Sequence, residues 1–238
     1  MDFSLTEEQE LLLASIRELI TTNFPEEYFR TCDQNGTYPR EFMRALADNG
    51  ISMLGVPEEF GGIPADYVTQ MLALMEVSKC GAPAFLITNG QCIHSMRRFG
   101  SAEQLRKTAE IEMERLINAA RSTGFAECAF EDAARYANQR IAFGKPIGHN
   151  QMIQEKLALM AIKIDNMRNM VLKVAWQADQ HQSLRTSAAL AKLYCARTAM
   201  EVIDDAIQIM GGLGYTDEAR VSRFWRDVRC ERIGGGTD

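Results

Sequence analysis

From Ile153 to Ala178 the apolar residues Ile153, Leu157, Met160, Ile164, Met167, Val171, Val174 and Ala178 recur in alternating steps of four and three. That spacing holds them on one stripe of a helix and excludes a strand, whose side chains change face at every residue. A stripe of this length needs a partner, and the sequence supplies one. After "DQHQSLRT", Leu190, Leu193, Ala196, Met200, Ile203, Ile207 and Met210 repeat the pattern as far as Gly211 and Gly212, which suit a helix end. Two such helices joined by a short link pack antiparallel, as in a bundle.

The first half reads the same way. In "TEEQELLLASIRELI", Thr6 and Gln9 stand at capping-box spacing ahead of Leu12, Ile16, Leu19 and Ile20 on one helical face. A second helix is expected from Pro39, carrying Phe42 and Leu46 and stopping at Gly50. The stretch "GVPEEFGGIPAD" reads as loop, and residues 65–80 and 85–98 as two apolar helices followed by Gly81 and Gly100. Ser101 and Gln104 can cap the next helix. With no run of alternating residues between turn signals, the expected fold is all-α.

Charge and cysteine content narrow the function. Twenty-six basic against 32 acidic residues give a net charge of -6 with no basic tract, which offers nucleic acid no attraction. Six scattered cysteines without a C-x-x-C pair support neither a disulfide framework nor a zinc site, and fit a reducing cytoplasm. The acidic start "MDFSLTEEQE" is unlike a signal peptide, and no apolar run reaches membrane-span length. His94, His149 and His181 are far apart, which argues against a metal site. "GGLG" at 211–214 follows a helix where a dinucleotide fingerprint must follow a strand, and the thirteen methionines are read as core filling. Periodicity and composition thus define a helical bundle and no chemistry.

Two segments carry a resemblance. "ARYANQRIAFGKPIGHNQMIQEKLA" (134–158) and "DAIQIMGGLGYTDEARVSRFWRDVRCERIGGGTD" (205–238) resemble the C-terminal helical domain of the acyl-CoA dehydrogenases. "MDFSLTEEQELL" and "GVPEEFGG" look like that family's N-terminal helical domain, which places the two domains at 1–110 and 111–238. "FAECAFEDAARYANQR" and "RFWRDVR" are similar to the crotonobetainyl-CoA reductase branch, and point to fatty acid or carnitine metabolism.

The resemblance implies an FAD enzyme that takes a proton from the α-carbon of an acyl-CoA thioester while hydride leaves the β-carbon, or runs the reverse reduction of an enoyl-CoA. The α-proton is weakly acidic, so the site needs a carboxylate over Cα and polar groups that stabilise enolate charge. In many members the tail reads Y-E-G-T and its glutamate is that base. Here the register gives Gly234, Gly235, Gly236 and Thr237, so the base position is Gly235. Another branch carries the base on an earlier helix before an arginine, which in "EIEMERLINAA" is Glu114 before Arg115. Glu110, one turn back, is its competitor, while Glu112 faces elsewhere. The glycines, with Gly234 and Gly235 against the substrate, would leave Glu114 room to act.

The cofactor positions implied are Arg140 and Phe143 against the flavin nucleotide with Gln151 nearby, Gln208, Gly211 and Gly212 reaching the ADP part from a neighbouring subunit, and Thr237 beside the cofactor. The plain readings of the same residues are a surface arginine, a core phenylalanine and a glycine helix end. A homo-oligomer (dimer or tetramer) and an electron-transfer flavoprotein as partner follow from the family alone. The family's β-barrel domain, on the order of a hundred residues, has no counterpart between "FGSAEQLRKTAE" and "IEMERLINAA", and its last helix falls beyond Asp238. Helical register across the join looks unbroken. Two expectations therefore stand: an acyl-CoA dehydrogenase or enoyl-CoA reductase, or an inactive helical scaffold that keeps the family's fold.

Overall fold

The computed structural model describes residues 4–56, 58, 61–84 and 103–237, with the side chains of the long central helix described from Glu112 onward. Helix α1 (Glu7–Asn23) opens with the expected capping box: Gln9 N–H donates to Thr6 Oγ1 at 3.2 Å, and Thr6 N–H donates to Gln9 Oε1 at 3.1 Å. The short helix α2 (Glu26–Asn35) was not expected; Pro25 precedes it and Gly36, at φ 60°, ends it. Helix α3 (Arg40–Asp48) follows Pro39 and buries Phe42 and Leu46, as its sequence predicts. Edge-to-face contacts of Phe24, Tyr28, Phe29 and Phe42, with ring centres 5.2 to 5.4 Å apart, pack this corner.

Helix α4 (Tyr67–Lys79) is capped twice. Asp66 accepts from Thr69 N–H, and Asp179, distant in sequence, accepts from Tyr67 and Val68 N–H at 2.7 and 3.2 Å. A carboxylate at a helix N-terminus satisfies orphan donors and meets the positive end of the dipole. The expected helix at 85–98 and the Ser101 cap lie outside the described residues.

The spine is α5 (Glu103–Gln139), 37 residues without a break. Helices α6 (Gln151–Asp179) and α7 (Arg185–Met210) pack beside it. Their antiparallel sense is fixed by Lys156–Asp205, Lys163–Glu201 and the approach of Cys195 to the Met167 carbonyl. The α6 stripe is buried as its periodicity predicts, with Ile153 and Leu157 at its edge. The α7 stripe is buried in part: Ala196, Ile203 and Met210 are buried as expected, but Leu190 and Leu193 are 52% and 37% exposed, and a row of mostly small residues, Ala188, Ala191, Cys195, Ala199, Val202, Ala206 and Ile209, is buried beside them. The physical reason is size. Helix α5 likewise buries Ala119, Ala120, Ala126, Ala129 and Ala133, and small buried residues on both helices let the two axes come close.

Among the described residues all-α holds except for an isolated bridge between Leu54 and Ile63 and one hairpin, β1 (Ile141–Ala142) against β2 (Lys145–Pro146). Its strands are too short to show alternation, and its turn places Phe143 at φ 52°. A four-residue turn of helix, α8 (Gly212–Tyr215), leads to α9 (Val221–Glu231) and the tail. Helix α9 is moored by arginines: Arg220 pairs with Asp132 through two contacts of 2.7 and 2.9 Å. Arg223 pairs with Glu26 at 2.8 and 3.0 Å, donates to the Gly81 carbonyl, and lies over the Phe29 and Phe224 rings.

Candidate functional site

The glycine tail returns from α9 across the middle of α5. Gly235 (φ 65°) and Gly236 (φ 107°) adopt backbone angles that a side chain would strain. A Cβ built on Gly235 would lie 3.2 Å from Asn118 Nδ2, 3.4 Å from Arg115 Cγ and 3.7 Å from the Glu114 carboxyl carbon. Glu114, Arg115 and Gly235 are thus brought together, and a Cβ built on Gly234 would lie 3.5 Å from the same Asn118 nitrogen. The Glu114 carboxylate is exposed, and Thr237 is exposed at the end of the tail. Of the other two glutamates weighed from the sequence, Glu112 is half-buried and the Glu110 side chain lies outside the described residues.

Cations from two helices grip the tail's backbone. Arg115 Nε donates to the Gly235 carbonyl at 2.9 Å, and Lys192, buried on α7, donates to the Arg232 and Gly236 carbonyls at 2.9 and 2.5 Å. Beneath them Arg121 and Glu231 form a buried pair: Nε lies 2.9 Å from Oε1, and Nη2 donates to Oε2 at 3.0 Å. Burial pushes the Glu231 carboxyl above its ordinary range, against the pull of Arg121 and Lys192 and with a further upward push from Glu114. Arg121 also donates to Asn118 Oδ1 at 2.6 Å. Asn118, Arg121, Lys192 and Glu231 were missed from sequence, although "LINAARSTGFAECAF" contains a signal: polar residues set into a long run of small apolar ones.

The remaining predicted residues sit in two other places. Arg140, Phe143 and Gln151 lie on the hairpin and the first turn of α6, all exposed. Gln208, Gly211 and Gly212 lie at the C-terminal end of α7, also exposed. Phe143 is 101% exposed, so it is no core residue, and a Cβ at Gly211 or Gly212 would meet open space. An exposed arginine and an exposed aromatic ring that the chain's own core does not use fit the phosphate and ring of a nucleotide such as that of FAD. Gly148 approaches the Ala137 carbonyl, which seats the hairpin against the end of α5.

Among the described residues no helix is long and apolar enough to cross a membrane. The five described cysteines are free thiols, and burial pushes those of Cys80 and Cys195 up to about 12.

The sequence model of the acyl-CoA dehydrogenase C-terminal domain matches residues 105–238, and that of the N-terminal domain matches residues 6–110. The chain belongs to the acyl-CoA dehydrogenase family. It is 65% identical over 365 residues, taking in 100% of this chain and 95% of the relative, to the Escherichia coli (strain K12) protein named probable acyl-CoA dehydrogenase YdiO. Among solved structures it resembles butyryl-CoA dehydrogenase from Megasphaera elsdenii (TM-score 0.90, 21% identity, 100% of this chain and 96% of the other). A chain from work on the electron transferring flavoprotein of Acidaminococcus fermentans gives a TM-score of 0.91 at 21% identity, with the same coverage. At that identity the structural likeness speaks for the fold.

Proposed function

We propose that this chain carries an acyl-CoA dehydrogenase site in which Glu114 is the base for the α-proton of an acyl-CoA thioester, or the acid in the reverse reduction of an enoyl-CoA. The observation that carries this reading is the Glu114 carboxyl group 3.7 Å from the point where a side chain at Gly235 would begin. A tail glutamate would occupy that space; its absence opens the space to Glu114. The left-handed backbone of Gly235 adds to the case, because a glutamate placed there would be strained. Arg115, held on the Gly235 carbonyl, keeps tail and helix in register rather than meeting the substrate directly.

FAD, when bound, supplies the hydride acceptor. Arg140 would pair with its pyrophosphate and Phe143 would stack on the nucleotide, with Gln151 and Thr237 beside them. Gln208, Gly211 and Gly212 would approach the ADP part of a neighbouring subunit's cofactor, which makes the working unit a homo-oligomer. The protein would act in the cytoplasm on acyl-CoA, pass electrons to an electron-transfer flavoprotein, and stand nearest the crotonobetainyl-CoA branch. Its two domains would divide at residues 110 and 111, inside α5.

Support for a missing barrel comes from length. The alignment to the Escherichia coli relative spans 365 residues against 238 in this chain, a difference of 127, which is a domain's worth. Identity at 65% of 365 positions amounts to about 237 matches, nearly every residue this chain has. A second reading, an inactive helical scaffold, is favoured by one observation: Glu114 is exposed, and water weakens the electrostatic stabilisation of an enolate.

Incubation with FAD, gel filtration and an absorbance spectrum separate the two. Retained flavin that bleaches on addition of acyl-CoA supports the enzyme, and loss of all flavin supports the scaffold. In a flavin-retaining protein, Glu114→Gln is expected to slow bleaching by about 10²- to 10⁴-fold with the flavin still bound. Near-full activity in that variant would remove Glu114 from the mechanism.

A further inference from the structure

Lys192 lies in the first half of α7 and is 3% exposed, and its helical neighbours one turn away, Ala188, Cys195 and Ala196, are small and fully buried. A lysine is seldom buried to that degree, because an ammonium taken out of water must recover its lost hydration from the protein. Backbone carbonyls do this here: Nζ donates to Arg232 at 2.9 Å and to Gly236 at 2.5 Å. Four residues separate those carbonyls, so one side chain clasps the glycine tail at both ends. A methionine would fill similar volume without burying a charge, but it could not hold a carbonyl.

The tail needs such a clasp. Three successive glycines have no side chains to pack and lose more conformational freedom on being fixed than other residues do. Arg115 holds the Gly235 carbonyl from α5, and Lys192 holds the next one from α7, so adjacent carbonyls are gripped from two helices. This is the backbone that borders Glu114, whose carboxyl carbon would lie 3.7 Å from a Cβ on Gly235. A loosened tail would leave that exposed carboxylate without its wall. We propose that Lys192 is a positioning residue: by clasping the Arg232 and Gly236 carbonyls it holds the tail backbone against Glu114 and so sets where that carboxylate is aimed. Its effect on the reaction is exerted through the tail.

The inference rests on the reading of Glu114 as the base, and the test separates the two. Two readouts are taken on the full chain with Lys192→Met, or with Lys192→Gln where the first variant does not fold. Brief trypsin treatment followed by mass spectrometry measures cleavage after Arg232, whose carbonyl Lys192 holds, and needs neither flavin nor activity. That cleavage is expected to quicken by about tenfold or more in the variant. Bleaching of the FAD-loaded protein by saturating acyl-CoA is expected to slow by about 10- to 100-fold, with the half-saturating concentration shifted less than about twofold. In a Glu114→Gln background the same substitution should slow bleaching no further. A tail cut no faster, or bleaching unchanged by a loosened tail, overturns the inference and leaves the proposed function standing. An equal slowing in the Glu114→Gln background also overturns it, because Lys192 would then act without Glu114. Full activity of Glu114→Gln, or no bleaching by the unaltered protein, overturns the proposed function and this inference with it.

Discussion

Two stretches of the same helix are built by opposite chemistry. In its packed stretch α5 buries Ala119, Ala120, Ala126, Ala129 and Ala133, and where it faces α4 it presents Gly124, whose added Cβ would lie 2.3 Å from the Met75 carbonyl oxygen. Where it faces α9 and the tail it presents Arg115, Asn118 and Arg121. The first region is held by close approach and the second by charge and hydrogen bonds. Close approach of small residues is broken by an added methyl, whereas a buried ion pair is broken by losing one partner, which leaves the other charge uncompensated. The fold is therefore secured where nothing chemical is asked of it, and a costly, direction-specific arrangement is reserved for the glycine notch.

The largest break should come from the charged side. Arg121→Met leaves Glu231 buried without its cation and is expected to cost about 3–5 kcal/mol in urea unfolding. Adding Glu231→Leu should return much of that loss, and a double variant as unstable as the single one would show that the pair is not what holds the corner.

Gly124→Ala tests the close-packed side. A methyl cannot fit against the Met75 carbonyl without moving α4, so a loss of about 1–3 kcal/mol is expected in the same measurement.

A smaller effect should appear on changing pH. Burial pushes the Asp227 carboxyl from its ordinary 3.8 up to about 6; Arg223 opposes this, and Asp33 and Glu231 add to it. Between about pH 4 and pH 6 the folded chain holds a proton on Asp227 that the unfolded chain has released. Its contribution to stability is thus greatest at the low end of that window and is lost as pH rises through it. Asp227→Asn should flatten the fall in urea midpoint between pH 4.5 and pH 6.5; an unchanged slope would assign the dependence to other groups.

The smallest effect is expected at Leu193→Ser, under about 0.5 kcal/mol, because that residue stands outside the α5–α7 contact. A loss of several kcal/mol in dilute protein would mean that the outer face of α7 is covered.

The bundle was legible wherever large apolar residues mark the buried face, as on α1, α3 and α6. Helix α7 was read in part: Ala196, Ile203 and Met210 are buried as expected, whereas Leu190 and Leu193 are exposed, because periodicity weighs large residues most while the contact with α5 selects small ones. The short α2 was overlooked although Pro25 and Gly36 bracket it. At the site, Glu114 and Gly235 could be paired only through the family resemblance, since 120 residues separate the helix from the tail it meets. Arg121 and Glu231 have no local pattern to betray them, being 110 residues apart. Proximity of that kind is decided by how the tail returns across α5.

The unbroken course of α5 from Glu103 to Gln139 has a consequence of phase. A helix advances by about 100° per residue, so one residue inserted ahead of Glu112 would turn everything upstream by that angle relative to Glu114. The two family segments meet inside this rod, at residues 105–110. Their junction is thus a matter of rotational timing. Gly124, which seats α4, and Glu114 both lie downstream of that junction, so a join out of step with the helical repeat would keep these two in phase and turn only the residues upstream.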